Sequence, residues 1–505
     1  MSRAPIFAFS SLFAQIAPAL PVDEAIYLVG GVVRDFFLDR EKKDFDFAMQ
    51  AGALETGRRV ADLLGAAYYP LDETRQTARV ILAQDDGQRI FLDFALFRGP
   101  DLESDLRNRD FTINSLAIDV RNPQTLLDPL GGLADLRDKV LRACSDTAFI
   151  DDPVRIFRGV RLAVSLNFRI PPETYQQMRQ AVPRLPMVSP ERLRDELFRI
   201  LESPKPAAAL RLLDILTALP HILPELQRLK EVSQPPPHIY DAWEHTLETV
   251  RSLEQVLGVL SREFDSEKAA NLSMGLISLQ LGRYRAQLAD HLRDQITTDR
   301  RLLPLLYLAA LYHDVGKPAQ RQQGADGRIR FIGHEAEGRR LISRRAQALH
   351  LSANEIERLG RIVAHHMRPL QLSAEDREPS RRAVYRFYRD LGPAGVDVCL
   401  LSLADGLATY GPTLVQDYWR RHLHLIRLLM EAWWERPAES VSPPELLRGG
   451  DLIRELQLEP GPVIGRLLEA IREAQAAGEL DTRAEALALA RKWLSQGGVG
   501  EQADF

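Results

Sequence analysis

The stretch IYLVGGVVRDFFLDREKKDFDFAM, Ile26 to Met49, decides the fold of the first part of the chain. A short apolar strand, Ile26–Val29, runs into the pair Gly30-Gly31, and a helix start carrying Arg34 and Asp35 follows. A second strand then brings Asp44 and Asp46. Residues i and i+2 of a strand share a face, so the two carboxylates project together while Phe45 and Phe47 point to the core. Paired carboxylates repel unless a cation lies between them, and hard divalent ions of the Mg²⁺ type suit oxygen ligands. Adjacent glycines at a helix N-terminus let backbone N–H groups close on phosphate oxygens. Cradle and acids together point to metal-dependent phosphoryl or nucleotidyl transfer.

The motif G-G-x-x-R-D followed by D-x-D resembles the nucleotidyltransferase superfamily of DNA polymerase β. LVGGVVRD with KDFDFA is similar to the class II tRNA nucleotidyltransferases (CCA-adding enzymes) and bacterial poly(A) polymerases. The resemblance covers roughly residues 25–230. It implies an α+β polymerase-β-like head, a small mixed sheet with helices, followed by an all-α neck and body. Gly30, Gly31 and Arg34 then hold a triphosphate, and Asp44 and Asp46 hold Mg²⁺.

Outward from this stretch, residues 51–67 read as an amphipathic helix, and 78–98 as two strands, ARVILA and RIFLDFALF, joined by DDG. Asp93 lies on the face opposite Leu92 and Phe94, a candidate third catalytic carboxylate; the family carries an acid here followed by an arginine, matched by Arg98. RDFTIN, Arg109 to Asn114, resembles the family's next motif and assigns Arg109 and Asp110 to the sugar-phosphate of the incoming nucleotide. DPLGG at Asp128–Gly132 is similar to a hinge segment.

In DDPVRIFRGVRLAVSLNF, from Asp151, Pro153 suits a first helical turn, and Asp152, Arg155, Arg158 and Arg161 recur every three residues. A carboxylate only accepts hydrogen bonds and a guanidinium only donates. Cytosine and adenine offer an amino donor beside a ring-nitrogen acceptor; guanine and uracil offer the reverse. An Asp152/Arg155 pair on one helix face would accept C or A and leave G or U unpaired. This resembles the family's E-D-x-x-R motif, with Asp151 in place of Glu, and implies nucleotide contacts for Arg158 and Arg161 as well. Pro190–Glu196 resembles a supporting helix.

Gln234-Pro-Pro-Pro237 reads as a stiff break. Beyond it come His245, the His313-Asp314 pair, His334, His365-His366 and Asp405. His/Asp sets suit a divalent metal that activates water. The order resembles the HD phosphohydrolase superfamily, which implies His245, His313, Asp314 and Asp405 as ligands of a divalent metal and His334, His365 and His366 for a second ion. The expected organisation is a catalytic head (1–145), a helical neck and body for base selection and tRNA binding (146–232), an all-α HD domain (238–410) and a helical tail (411–505).

Bulk numbers set bounds. The 505 residues carry a net charge of −5, 45% apolar and 27% charged residues, which suits a globular protein and excludes a polycation. RNA contact then falls to a local basic surface such as residues 134–211, with 14 Lys/Arg against 10 Asp/Glu. The two cysteines, Cys144 and Cys399, exclude a disulfide scaffold. IFAFSSLFAQIAPAL is broken by polar residues and reads as a first helix on the sheet, not a signal peptide; Leu302–Leu311 is too short to span a bilayer. These readings place the chain in the cytoplasm, with no membrane partner.

The resemblance implies a template-independent enzyme adding CCA, or its CC or A part, to tRNA from CTP and ATP, with an HD phosphohydrolase activity alongside. One alternative is a poly(A) polymerase of the same family, which carries a G-R-R-F-like stretch where this chain has LDETRQTARV. The other is an HD phosphohydrolase whose front half only binds tRNA.

Overall fold

The computed structural model describes residues 9–40, 44–83, 89–263, 271–297, 300–373 and 378–496. The expected DDG turn and the last residues of the tail lie outside them. The chain divides into two compact units, residues 1–203 with 208–222, and residues 204–207 with 223–505.

The first unit is built on a seven-stranded sheet. Its strands are β1 (Ile26–Val29), β2 (Asp44–Met49), β3 (Ala67–Asp72), β4 (Thr77–Ala83), β5 (Arg89–Leu96), β6 (Ala117–Asp119) and β7 (Leu126–Leu127), in spatial order β3-β4-β5-β2-β1-β6-β7. β2 and β5 run parallel; every other neighbouring pair is antiparallel. Alternation along β2 falls as expected: Phe45 and Phe47 are buried, whereas Asp44 and Asp46 are exposed. The core face stacks Phe47 on Phe94 with ring centroids 4.8 Å apart. Phe9, the N-cap of helix Ser10–Ile16, and Phe13 within it meet Phe45 and Phe47 edge-on. Helix Ala53–Leu64 covers β4 and β5. It comes close because Gly57 lacks a side chain: a Cβ there would stand 2.8 Å from that of Ala78. Each large side chain buried in this way contributes about 1.5–3 kcal/mol.

Head and neck, divided at 145/146 in the sequence reading, share this compact unit. Their cores interlock. Phe111 bridges to Ala143, Val140 bridges to Arg169, and Phe111 packs on Phe149 and against Gly159, where a Cβ would sit 2.8 Å from its ring. The second unit starts ahead of the proline run, because turn Pro224–Glu231 packs on helix Ala242–Val259 and Val232 O accepts from Ala242 N at 2.9 Å.

Helix Ala394–Tyr410 forms the centre of the second unit and is buried along nearly its whole length. Helices Ala242–Val259 and Ala353–His365 pack against it, and Leu302–Tyr312 packs on both of those. Residues 447–490 build a separate small core around Leu452, Leu467 and Ile471. That tail meets helix Arg381–Leu391 across a charged seam in which Arg386 and Arg382 donate to Glu473 and Glu479, each at 2.7 Å. No single helix among the described residues is long and apolar enough to cross a membrane.

Candidate functional site: an acidic transferase cleft and a histidine centre

Two polar centres stand out, one in each unit. The first is a cleft of about 1130 Å³ in the head and neck, bordered by Gly30, Gly31, Asp46, Asp93, Arg109, Asp110, Asp152, Arg155 and Arg158. Parallel pairing of β2 with β5 puts Asp46 directly beside Asp93. Asp44 is exposed two residues earlier, on the same face. Asp46 is open to solvent at the cleft floor yet closely surrounded. Burial pushes its carboxyl pKa up, Asp93 and Asp44 add to that, and Arg109 and Arg158 oppose it. A divalent cation would relieve this strain, so the donor set fits a hard metal ion.

Gly30 carries φ +81°, and a Cβ there would lie 3.1 Å from Asp46 Oδ2 and 3.3 Å from an Arg109 terminal nitrogen. The diglycine bend thus lets backbone, acid and guanidinium converge at one point. Arg109 is anchored by Asp105, which accepts from its Nε and Nη2 at 3.0 and 2.8 Å. Asp110 is buried, accepts from Phe111 N and Asn114 Nδ2, and pairs with Arg158 at 2.7 Å. Burial raises the Asp110 pKa, but Arg158 and the two donors outweigh it and hold the carboxyl below its usual value.

Several expected side chains stand elsewhere. Arg34 does not border the cleft: it forks Asp35 at 2.8 Å through two nitrogens and donates to Asn114 Oδ1 at 2.7 Å. Being buried, its charge must be paired, and the neighbouring carboxylate offers a matching fork. Arg161 likewise turns to Glu196, at 3.0 Å, and ties the neck helices Arg155–Leu166 and Pro190–Leu201 together.

Asp152 and Arg155 do not share one continuous helix. Helix Ala148–Asp151 ends at Asp152, which is extended, and the next helix begins at Arg155. Pro153 lacks an N–H and drives the residue before it out of the helical region. Arg155 Nε stands 3.9 Å from Asp152, and its terminal nitrogens donate to the carbonyls of Asn108, Arg109 and Ala148. Asp152 Oδ2 instead accepts from Arg192 at 2.7 Å, while its Oδ1 is buried with no hydrogen-bond partner. Sequence reasoning missed Arg192 and Arg79; both meet their partners through tertiary structure.

The second centre lies among helices of the second unit. Asp241 caps helix Ala242–Val259 by accepting from Glu244 N at 2.9 Å, which seats His245 one turn in. His245, His313 and Asp314 offer ligand atoms within 4.8 Å of one another, and so do Asp314, His334 and His366; all are buried. Asp314 is shared: Oδ2 faces His245 and His313 at 3.6 and 3.2 Å, Oδ1 faces His334 and His366 at 3.4 and 3.8 Å. Asp405 adds Oδ1 at 3.0 Å from His245.

The Nδ1 atoms of His313, His334 and His366 turn back to the carbonyls of Ala310, Phe331 and Val363 at 2.7–2.8 Å, which fixes their Nε2 toward the centre. That is the outer support of metal-ligating imidazoles, and the donor set fits one or two divalent ions. His365 belongs to neither group: successive helical residues diverge by about 100°, so only one of the His365-His366 pair faces inward. Charge follows geometry. Burial pushes His366 down to about 3, whereas Asp314 and Asp405 overcome the burial of His313 and raise it. Asp314 is held well below the carboxylate range: burial opposes this, but His313 and Lys317 prevail.

Comparison with known proteins agrees with both halves. The Poly A polymerase head domain family matches residues 26–142, the family "Probable RNA and SrmB- binding site of polymerase A" 167–230, the HD domain 278–410 and the family "tRNA nucleotidyltransferase domain 2 putative" 440–490. The A-adding tRNA nucleotidyltransferase of Deinococcus radiodurans is 33% identical over 96% of this chain and 99% of its own. The CC-adding tRNA nucleotidyltransferase of Geobacter sulfurreducens is 32% identical over 93% and 92%. Among solved structures, a CCA-adding enzyme with ATP shares the fold with TM-score 0.60 at 20% identity, covering 100% of this chain and 97% of the other. The chain therefore belongs to the class II tRNA nucleotidyltransferases, the CCA-adding enzyme family, in its form with an HD domain.

Proposed function

We propose that this protein extends tRNA 3′ ends with the nucleotides of CCA, or with its CC or A part, from CTP and ATP, and that Asp44 and Asp46 hold Mg²⁺ for the reaction. The observation that carries the reading is the register of Asp46 beside Asp93 under the Gly30-Gly31 bend, on the floor of an arginine-rich cleft. Mg²⁺, when bound, lowers the pKa of the attacking hydroxyl and neutralises charge developing on the triphosphate. The chain's own groups bind and orient. The Gly30-Gly31 backbone approaches the phosphates, and Arg109, braced by Asp105, supplies a fixed positive charge beside Asp46. Asp110 with Arg158 holds the sugar side. The unpartnered Oδ1 of Asp152 accepts the amino group of C or A, and a neighbouring guanidinium donates to the ring nitrogen. Arg34 and Arg161 support the site through Asp35, Asn114 and Glu196.

The test is incubation with tRNAs ending before, within and after CC, supplying each labelled nucleotide in turn. Incorporation limited to C and A supports the reading and reports which part of CCA is added. Long A tails from ATP alone would favour the poly(A) polymerase alternative instead.

The convergence of His245, His313, His334 and His366 on Asp314 favours a second reading beside the first, a metal-dependent phosphohydrolase in the HD unit. Its test is hydrolysis of a 2′,3′-cyclic phosphate with Mg²⁺, Mn²⁺ or Ni²⁺ added one at a time to metal-stripped protein.

A further inference from the structure

We propose that Arg79 is a positioning residue of the transferase centre, a built-in counter-cation that holds Asp93 beside Asp46. The inference rests on the transferase reading above. Arg79 stands directly opposite Asp93 in the antiparallel β4–β5 pair, and donates through Nε and Nη2 to both Asp93 oxygens at 2.8 and 2.7 Å. Its guanidinium lies 5.2 Å over the ring of Phe91, which braces the fork. Asp93 is in turn the parallel register partner of Asp46. A row Arg79–Asp93–Asp46 thus runs across three adjacent strands on the face that opens to the cleft.

Two physical consequences follow. First, the fork fixes the plane of the Asp93 carboxylate. It occupies one lone-pair direction on each oxygen and leaves about two of roughly four free. Second, three acids share this face, and Arg79 is the cation hydrogen-bonded to one of them. Its pKa is raised by the bond to Asp93 and also by the fields of Asp44 and Asp46. Arg79 thereby lowers the cost of assembling the acids without a metal, and keeps Asp93 from competing as a second mobile ligand. Ala78 and Val80, on either side, are fully buried, so the alternation of β4 commits Arg79 to the catalytic face.

The test compares wild type, Arg79→Ala and Arg79→Lys as full chains, by thermal melting with and without added Mg²⁺ and by nucleotide incorporation. A ligand that binds only the folded state stabilises it more when the unliganded site is less well neutralised. The expected result for Arg79→Ala is a lower metal-free melting temperature, a larger Mg²⁺-induced rise than in wild type, and a kcat for incorporation reduced at least tenfold with little change in the KM for tRNA. Arg79→Lys restores the metal-free melting temperature, because the charge is kept, but not the rate, because the fork is lost. Any Mg²⁺ response of the HD centre is common to all three proteins and cancels in the comparison.

An unchanged Mg²⁺ response in Arg79→Ala overturns the proposal, whether or not the melting temperature falls, since a mere packing role would leave that response alone. Absence of incorporation by the wild type would sink the transferase reading instead, and the Mg²⁺ response would still decide the role of Arg79.

Discussion

The two centres solve the same problem, holding acids close together, in opposite ways. In the cleft, Asp44 and Asp46 are exposed on one strand beside Asp93 on the next, and arginines pair with Asp93 and with the acids around it: Arg79 on Asp93, Arg109 on Asp105, Arg158 on Asp110, Arg192 on Asp152. In the histidine centre, buried Asp405 sits on a helix and buried Asp314 in the turn just past another, and imidazoles balance them. A guanidinium never gives up its charge, so the cleft keeps fixed positive charges ready for a polyanionic triphosphate and RNA. An imidazole does give up its proton, so the buried centre can exchange protons for metal ions. The difference teaches that substrate charge selects the counter-ion: arginine where phosphates arrive, histidine where the cation itself must enter.

The sharpest way to break this comparison is to disable one centre at a time. Asp46→Ala should lower nucleotide incorporation by about 10²–10³-fold, the range for losing one preorganised charge-stabilising group, and leave bound HD metal unchanged. Asp314→Ala should do the reverse, losing metal by elemental analysis and all metal-dependent hydrolysis while incorporation persists. Loss of both activities in either variant would mean that the centres do not work independently. Next in size, Asp152→Ala should relax base choice. Discrimination against G and U should fall by about 1–3 kcal/mol, read as relative kcat/KM for the labelled nucleotides.

Gly30→Ala tests the close approach. A side chain at φ +81° adds about 1–3 kcal/mol of backbone strain and crowds Asp46 and Arg109, so incorporation should drop with HD hydrolysis unchanged. The smallest effect concerns Glu254, whose carboxyl burial pushes up to about 7 from the usual 4.5, against a hydrogen bond from Ala207 N. An acid with a raised folded pKa binds its proton more tightly in the folded state. Stability from this group is therefore full below the unfolded pKa and is lost as pH rises through about 7. Glu254→Gln should flatten that part of the melting profile between pH 4.5 and 7.

Much of the cleft was legible because its signals are local. The two-residue spacing in DFDF fixes a shared face on any strand, and it put Asp44 and Asp46 on one side with Phe45 and Phe47 on the other. The His313-Asp314 pair and its distant partners were legible from residue chemistry, and the structure brings His245, His313, His334, His366, Asp314 and Asp405 together. What the spacing did not carry was the immediate surroundings of each side chain. A three-residue rhythm suggested one helix face for Asp152 and Arg155, but the proline between them breaks the helix. Arg34 matched a motif, yet Asp35 and Asn114 take up its guanidinium. Of the His365-His366 pair, only helical phase decides which faces the centre.

The sequence by itself determined the backbone phases and the chemical types: a diglycine bend, alternating acids on a strand, histidines in and at the ends of helical segments. Those follow from φ/ψ preference and burial, which act over a few residues. Only tertiary structure decided the pairings. Arg79 reaches Asp93 through the β4–β5 register, Arg192 reaches Asp152 from another helix, and Asp314 stands between two histidine pairs. A charged side chain takes its partner from whatever packing brings within about 3 Å, and linear spacing carries no measure of that distance.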